Sequence, residues 1–288
     1  MSATTSKTRP LSSFPDVRAL LRLALEEDVG PGDITTLALV PPRATASATV
    51  RARQSLVVCG LEPAAWVFRR LAPRARIRFC LRDGDRAAPG DALLRITGPA
   101  RALLTAERTA LNLLQRLSGI ATLTASVAAR LRGAPVALLD TRKTTPGLRR
   151  LEKYAVKCGG GTNHRFGLHD AVLIKDNHLA YRRGSSLADA VRAARKAAPR
   201  RKIEIEVDTL DQLADALQGN PDWVLLDNMP PPLLRKAVAL CRGRCKTEAS
   251  GGITPRTIAA YARTGVTAIS LGALTHSATA VDIALDFD

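Results

Sequence analysis

Aromatic residues are scarce in this chain of 288 residues, of which they make up 3%. Proteins that bind nucleic acids usually join a basic surface to aromatic platforms or to a recognisable recognition motif, and no such motif is found. The net charge of +17 would suit a phosphate backbone. Because the Arg residues are dispersed over predicted helix faces, we expect no nucleic-acid partner. A basic nucleic-acid-binding protein is kept as an alternative.

Long apolar runs are also missing. Hydrophobic residues form 46% of the chain, but no uninterrupted run approaches the length of a membrane-spanning helix. The first residues, MSATTSKTRPLSSF, lack the apolar segment of a secretory signal. The five cysteines are scattered, and Cys241 and Cys245 have neither a second pair nor a nearby His to complete a zinc site. We therefore expect a soluble cytoplasmic protein with reduced cysteines and no membrane partner.

The second half of the chain alternates short apolar runs with amphipathic segments, the pattern of a parallel sheet covered by helices. Strands are predicted near 136–140, 171–175, 202–207, 223–227, 244–248 and 267–271. Helices are predicted at 147–157, 185–198, 209–218, 231–242, 254–264 and 277–285. Barrels and doubly wound sheets both show this alternation, and the six recognised strands do not support a regular eightfold barrel.

Polar, charged and glycine residues recur at the carboxyl ends of these strands. They are Arg142, Lys143, Lys175, Glu206, Asp227, Ser250, Gly251, Gly252 and Gly272. Barrel enzymes draw their catalytic residues from this edge of many strands, so the pattern favours a barrel over a single crevice. Glycines after the last two strands let the backbone approach a ligand closely, and a following helix directs N–H groups at an anion. The sequence thus predicts a phosphate site there.

Glu206 and Asp227 lie in apolar surroundings, where an unpaired carboxylate would be costly. They require a cation, a metal or hydroxyl partners, and Mg²⁺ is typically held by one or two carboxylates together with substrate phosphates. Strand alternation places Glu204 on the same face as Glu206. The residue pattern alone leaves open which of these two is nearer the substrate.

The segment 140–178, DTRKTTPGLRRLEKYAVKCGGGTNHRFGLHDAVLIKDNH, resembles the signature of the quinolinate phosphoribosyltransferases. Similarity continues in LTAERTALNLLQRLSGIAT before it, and in IEIEVDTL, VLLDNM, EASGGIT and LGALTHS after it. It covers nearly the whole chain, except the first ten or so residues and residues 62–82. The resemblance implies phosphoribosyl transfer from phosphoribosyl pyrophosphate to quinolinate with decarboxylation, in NAD biosynthesis. It also implies an incomplete α/β barrel preceded by an α/β sandwich domain.

The resemblance further implies roles for individual residues. The catalytic residues would be Lys143, Glu206 and Asp227. The quinolinate clamp would contain Arg108, Thr141, Arg142, His164, Arg165 and Lys175. Phosphoribosyl pyrophosphate would be held by Lys143, Glu206, Asp227, Ser250, Gly251, Gly252, Leu271, Gly272, Ala273 and His276. Mg²⁺ would bind through the substrate pyrophosphate, with Glu206 and Asp227 as its candidate protein ligands. The resemblance also implies that Glu206, and not Glu204, is the carboxylate nearer the substrate.

Domain limits and assembly follow from the same comparison. We expect a disordered tail over 1–12, the sandwich domain over 13–116, the barrel domain over 117–276, and a C-terminal helix over 277–288 that packs on the sandwich domain. A homodimer is implied in which Arg108 reaches the partner's site. A paralogue associated with molybdate transport shares the fold and is the alternative function, although the unbroken TRKTTPG, NHR and IKDNH motifs argue against it.

Overall fold

The computed structural model describes residues 9–181 and 184–288. These form two compact units, unit 1 from residues 9–123, 145–159 and 278–288, and unit 2 from residues 124–144 and 160–277. Residues 1–8 of the predicted tail lie outside the described part. Leu11–Ser13 form a 3-10 helix and Leu11 is buried, so the predicted tail over 1–12 extends too far into the folded chain.

The helices in chain order are α1 (Pro15–Val29), α2 (Ile34–Leu39), α3 (Leu61–Leu71), α4 (Ala100–Ala129), α5 (Arg149–Cys158), α6 (Asp176–Leu179), α7 (Leu187–Ala197), α8 (Leu210–Leu217), α9 (Pro231–Cys241), α10 (Ile258–Ala262) and α11 (Ala273–His276). The strands are β1 (Thr45–Ala52), β2 (Leu56–Val57), β3 (Arg76–Phe79), β4 (Arg86–Ala87), β5 (Ala92–Pro99), β6 (Ala137–Leu139), β7 (Val172–Ile174), β8 (Ile203–Val207), β9 (Trp223–Asp227), β10 (Lys246–Ser250), β11 (Ala268–Ser270) and β12 (Ile283–Phe287). Among these described residues, no helix is both long and apolar enough to cross a membrane.

Unit 1 contains an antiparallel sheet in the order β12-β1-β5-β3. The predicted C-terminal helix is wrong, because the segment forms β12, which pairs with β1 from Ala52 opposite Ile283 to Ala48 opposite Phe287. Ile283 and Leu285 are buried while the residues between them are more exposed, which is the period of a strand. The end of the chain therefore joins unit 1 through backbone hydrogen bonds of a sheet.

Helix α5, predicted as part of the barrel domain, belongs to unit 1. Its Glu152 is fully buried, and the carboxylate accepts hydrogen bonds from Arg116 Nη2 at 2.9 Å and Thr145 Oγ1 at 2.8 Å. A buried carboxylate is tolerated only when such partners compensate for its lost hydration. This ion pair ties α5 to α4, so the unit boundary departs from the predicted limit at residue 117.

Unit 2 contains a parallel sheet of six strands among the described residues, in the order β6-β11-β10-β9-β8-β7. Neighbours along the chain are neighbours in the sheet, except that β6 and β7 form its two edges. This is the strand order of a barrel opened at one place, as the sequence predicts. The strands are apolar and buried, as in Val224, Leu225 and Leu226 of β9, because parallel sheets are covered on both faces.

Candidate active site

A cavity of about 480 Å³ lies in unit 2, at the carboxyl ends of the parallel strands. Its lining residues are Thr141, Arg142, Lys143, His164, Arg165, Leu173, Lys175, Glu206, Leu225, Asp227, Asn228, Glu248, Ser250, Gly251, Gly252 and Ser270. The parallel direction of the strands brings these sequence-distant ends to one edge of the sheet. Most of the predicted site residues of unit 2 therefore meet here, including members of both predicted substrate groups.

The loop after β11, which is the second of the two predicted phosphate loops, contacts Lys143, and Lys143 lines the cavity. A Cβ placed on Gly272 would lie 3.0 Å from Lys143 Cδ and 3.1 Å from His276 Nε2. Thr275 Oγ1 donates a hydrogen bond to the Lys143 carbonyl oxygen at 2.7 Å. Gly272 and Thr275 thus contact Lys143, Gly272, Ala273 and His276 are not among the lining residues, and Leu271 is a buried core residue.

Arg108 has a different position from the other predicted clamp residues. It lies on α4 in unit 1, and its side chain is exposed. The folding of unit 2 therefore does not bring Arg108 together with Arg142, Arg165 and Lys175.

Gly251 cannot be replaced by a larger residue without displacing its neighbours. Its φ is +82°, and a Cβ would lie 2.2 Å from Asn228 Oδ1 and 2.8 Å from Asp227 Oδ1. Asn228 also has a positive φ, and its side-chain amide donates to Asp227 Oδ2 at 2.6 Å. The loop after β10 consequently packs directly on the carboxylate at the end of β9. This close approach is to protein side chains, whereas the sequence predicts an approach to a ligand, and α10 begins only at Ile258.

Two carboxylates project into the cavity from adjacent strands. Glu206 at the end of β8 forms an ion pair with Lys175, which follows β7. Burial raises the pKa of Asp227, the neighbouring charge of Asp208 raises it further, and Lys175 and Lys143 partly offset both effects. The cavity thus holds cations and carboxylates close enough to influence one another.

Glu204, on the same face of β8 as alternation predicts, lies deeper in unit 2. Its Oε2 atom is 3.0 Å from His164 Nε2, and Glu248 Oε2 of β10 is 3.2 Å from the same nitrogen. Burial raises the pKa of Glu204, and the charge of Glu248 adds to this rise. Glu206 lines the cavity, whereas Glu204 lines a second cavity of about 650 Å³ that opens at the amino ends of the strands.

The proton of this cluster has two candidate positions. Burial opposes a charged imidazole, but hydrogen bonds to the two carboxylates would raise the pKa of His164 to about 10. However, His164 Nδ1 accepts the backbone N–H of Arg165 at 2.7 Å, and an imidazolium would carry hydrogen on that nitrogen. The hydrogen-bond geometry therefore favours a neutral imidazole with its proton on Nε2.

Three residues of the site escape the sequence reasoning. Asp140 is fully buried and accepts the backbone N–H of His164 at 2.8 Å, while Glu248 and Asn228 line the cavity. Asp140 directly follows the apolar strand β6, a signal that could have identified it by the argument applied to Glu206, whereas the sequence KTEAS of β10 gives no such signal for Glu248. The position of Asn228, directly after Asp227, could have been suspected because Asn tolerates a positive φ.

Comparison with known proteins places the whole chain in one family. Residues 33–118 match the model of the quinolinate phosphoribosyl transferase N-terminal domain, and residues 120–286 match that of the C-terminal domain. The first match includes residues 62–82, where inspection of the sequence finds no motif. The matched models thus extend over both units.

Individual relatives agree with the family models. The chain is 44% identical over 279 residues to a nicotinate-nucleotide pyrophosphorylase [carboxylating] of Mycobacterium leprae, covering 95% of this chain and 98% of the relative. It is 42% identical over 271 residues to a probable nicotinate-nucleotide pyrophosphorylase [carboxylating] of Bacillus subtilis, covering 94% and 93%. The nicotinate-nucleotide pyrophosphorylase structure from Francisella tularensis superimposes with a TM-score of 0.90 at 38% identity, covering 98% of this chain and 100% of that chain. The chain therefore belongs to the quinolinate phosphoribosyltransferase family.

Proposed function

We propose that the cavity of unit 2 is the site at which the phosphoribosyl group of phosphoribosyl pyrophosphate is transferred to the ring nitrogen of quinolinate. As a member of its family, the chain is a pentosyltransferase of NAD biosynthesis that forms nicotinate mononucleotide, CO₂ and pyrophosphate. One observation carries the assignment of the reaction to this cavity. Cations suited to a dicarboxylate and carboxylates suited to a ribose lie in the same cavity, in a chain that matches both domains of the family.

Arg142, Arg165 and Lys175 provide the binding site for quinolinate. Burial lowers the pKa of Arg165, and the positive charge of Arg142 lowers it further. Two guanidinium groups that repel each other in a partly buried site are stabilised by a ligand with two negative charges. Planar guanidinium groups also donate paired hydrogen bonds to carboxylates, which orients the pyridine ring for reaction.

Phosphoribosyl pyrophosphate binds on the other side of the cavity. The backbone of Ser250, Gly251 and Gly252 holds the 5-phosphate, and Gly251 lets this loop pack on Asn228 and Asp227, with which a side chain would collide. Asp227 and Glu206 accept hydrogen bonds from the ribose hydroxyls. Lys143 faces the pyrophosphate, with its Cδ atom beside Gly272 and its backbone carbonyl oxygen held by Thr275.

The reaction requires no protein nucleophile. The bond from ribose C1 to the pyrophosphate oxygen breaks with its electron pair on pyrophosphate, and the pyridine nitrogen donates its lone pair to C1. The bond from ring C2 to its carboxylate then breaks, its electron pair remains on C2 beside the positive ring nitrogen, and a proton from water replaces CO₂. The protein contributes orientation of the reactants and fixed positive charge near the departing pyrophosphate.

Mg²⁺ belongs to this proposal as a cofactor. The half-buried Asp227 and the neighbouring Glu206 offer the hard oxygen atoms that this ion prefers, so the residues fit it. When bound with the substrate, Mg²⁺ neutralises negative charge on the pyrophosphate.

We also propose that the protein is cytoplasmic and forms a homodimer, in which Arg108 of one protomer completes the clamp of its partner. The exposed position of Arg108 outside unit 2 supports this arrangement.

The test is an assay of the purified protein with quinolinate, phosphoribosyl pyrophosphate and Mg²⁺, in which nicotinate mononucleotide and CO₂ are measured together. We expect the two products to appear in equal amounts, and only when both substrates are present. If the folded protein forms no nicotinate mononucleotide, the proposal is refuted and the molybdate-transport paralogue is favoured. Tight binding to duplex nucleic acid with a steep salt dependence and no turnover would favour a nucleic-acid-binding protein.

A further inference from the structure

Both nitrogens of the His164 ring are occupied by protein groups. Nε2 lies 3.0 Å from Glu204 Oε2 and 3.2 Å from Glu248 Oε2, and Nδ1 accepts the backbone N–H of Arg165 at 2.7 Å. In this arrangement neither nitrogen is directed at a ligand in the cavity. The resemblance implies that His164 belongs to the quinolinate clamp, but that role does not account for the contacts of its ring with Glu204, Glu248 and Arg165.

The two carboxylates are buried inside unit 2. Glu204 on β8 and Glu248 on β10 have relative exposures of 7% and 1%, and β9 lies between their strands. Glu204 Oε1 is buried and has no hydrogen-bond partner among the described residues. A carboxylate with an unsatisfied oxygen costs folding free energy that an apolar residue would not. Stabilisation of the hydrophobic core therefore does not explain why a carboxylate occupies position 204.

Arg165 connects this cluster to the cavity. Its backbone N–H is held by His164 Nδ1, and its Nη1 donates to the Ala171 carbonyl oxygen at 3.1 Å. The negative charge of Glu204 favours the charged guanidinium, which the nearby Arg142 disfavours. The cluster thus acts on both the backbone and the charge of Arg165, whose side chain lines the cavity.

We propose that Glu204, Glu248 and His164 are positioning residues that act on quinolinate through Arg165. The carboxylates orient the His164 ring, the ring fixes the Arg165 backbone, and the fixed Arg165 presents its guanidinium to a substrate carboxylate. His164 itself donates no hydrogen bond to the substrate. This inference rests on the proposed function, because it concerns affinity for quinolinate.

Glu248→Gln provides the first test, since the substitution keeps the size of the side chain and removes its charge. A carboxylate cannot itself attract a dicarboxylate substrate. If Glu248 acted only through its electric field, its removal would strengthen quinolinate binding, whereas a positioning role predicts weaker binding. We expect the KM for quinolinate to rise at least about 10-fold, the KM for phosphoribosyl pyrophosphate to stay within about 2-fold, and kcat to fall less than the KM rises. Glu204→Gln should show the same pattern.

A double-mutant cycle tests the route through Arg165. Glu248→Gln is combined with Arg165→Lys, which keeps a cation at the position but removes the planar guanidinium, and kcat/KM for quinolinate is measured at saturating phosphoribosyl pyrophosphate. If Glu248 acts through the Arg165 guanidinium, the losses of the two single variants do not multiply in the double variant. Losses that multiply, or a Glu248→Gln variant that binds quinolinate more tightly, would overturn the inference.

Controls separate this inference from folding defects and from the proposed function. Asp211→Asn removes an exposed carboxylate of α8 in the same unit and should leave both KM values unchanged. Calorimetric binding of phosphoribosyl pyrophosphate verifies that each variant is folded. A wild-type protein that does not turn over quinolinate refutes the proposed function, whereas an active wild type with a normal Glu248→Gln variant refutes the positioning cluster alone.

Discussion

Lys175 and Glu206 form an ion pair inside the cavity, with side-chain exposures of 41% and 14%. Lys175 follows β7 and Glu206 lies near the end of the adjacent strand β8, so the register of the parallel sheet sets their separation. The proposed function assigns the first residue to quinolinate and the second to phosphoribosyl pyrophosphate. The pair therefore couples the two substrate positions, and a ligand at either one must compete with it.

Glu206→Ala and Asp227→Ala should each reduce Mg²⁺-dependent turnover by about 100-fold or more, because electrostatic groups at a reacting centre typically contribute this much. Both variants should remain folded, since these carboxylates lie at strand ends beside the cavity and do not form part of the apolar core. Initial rates over a range of Mg²⁺ concentrations check the expectation. Near-normal turnover in both variants at saturating Mg²⁺ would show that the carboxylates are structural.

Arg142→Ala and Arg165→Ala should abolish quinolinate binding while phosphoribosyl pyrophosphate binds almost as before. Arg142 follows β6 and Arg165 precedes β7, whereas the glycine loop follows β10. Calorimetry with each ligand separately measures the two affinities. Unchanged quinolinate affinity in both variants would contradict the assignment of the clamp.

Gly251→Ala should weaken phosphoribosyl pyrophosphate binding at least about 10-fold, because the new methyl group would collide with Asn228 and Asp227. Gly243→Ala is the matched control, since Gly243 has a φ of +75° but nothing within 4 Å of an added Cβ. Both variants carry the left-handed backbone penalty of about 1–2 kcal/mol. Equal ligand affinity in the two variants, measured beside their thermal unfolding, would exclude a specific role for the glycine loop.

Mixing inactive Arg108→Ala protein with inactive Lys143→Ala protein should restore activity if Arg108 acts in the partner's site. A heterodimer of the two variants contains one site with both residues intact, so subunit exchange should recover about a quarter of wild-type activity for random pairing in a two-fold dimer. Exchange is verified by mass spectrometry of differently tagged chains. Confirmed exchange without recovered activity would rule out the shared site.

The strands of unit 2 and the residues at their carboxyl ends are accessible from the sequence because both depend on local patterns. An apolar run of about four residues, such as WVLL in β9, predicts a buried strand, and the charged residue that follows it predicts a position at the sheet edge. The placement of Arg142, Lys175, Glu206 and Asp227 around one cavity follows from the parallel direction of the strands.

Pairing between distant segments is what local patterns cannot determine. The segment 277–288 has apolar residues that suit either a helix or a strand, and only the unpaired edge of β1 decides for β12. The ion pair of Arg116 with Glu152 likewise assigns α5 to unit 1 across 36 positions of sequence. The contacts of His164 with Glu204 and Glu248 are a third case, because they join a loop to two non-adjacent strands of the barrel. Hydrophobic periodicity determines which residues are buried, but the free energy that selects among buried partners arises only when the chain brings them together.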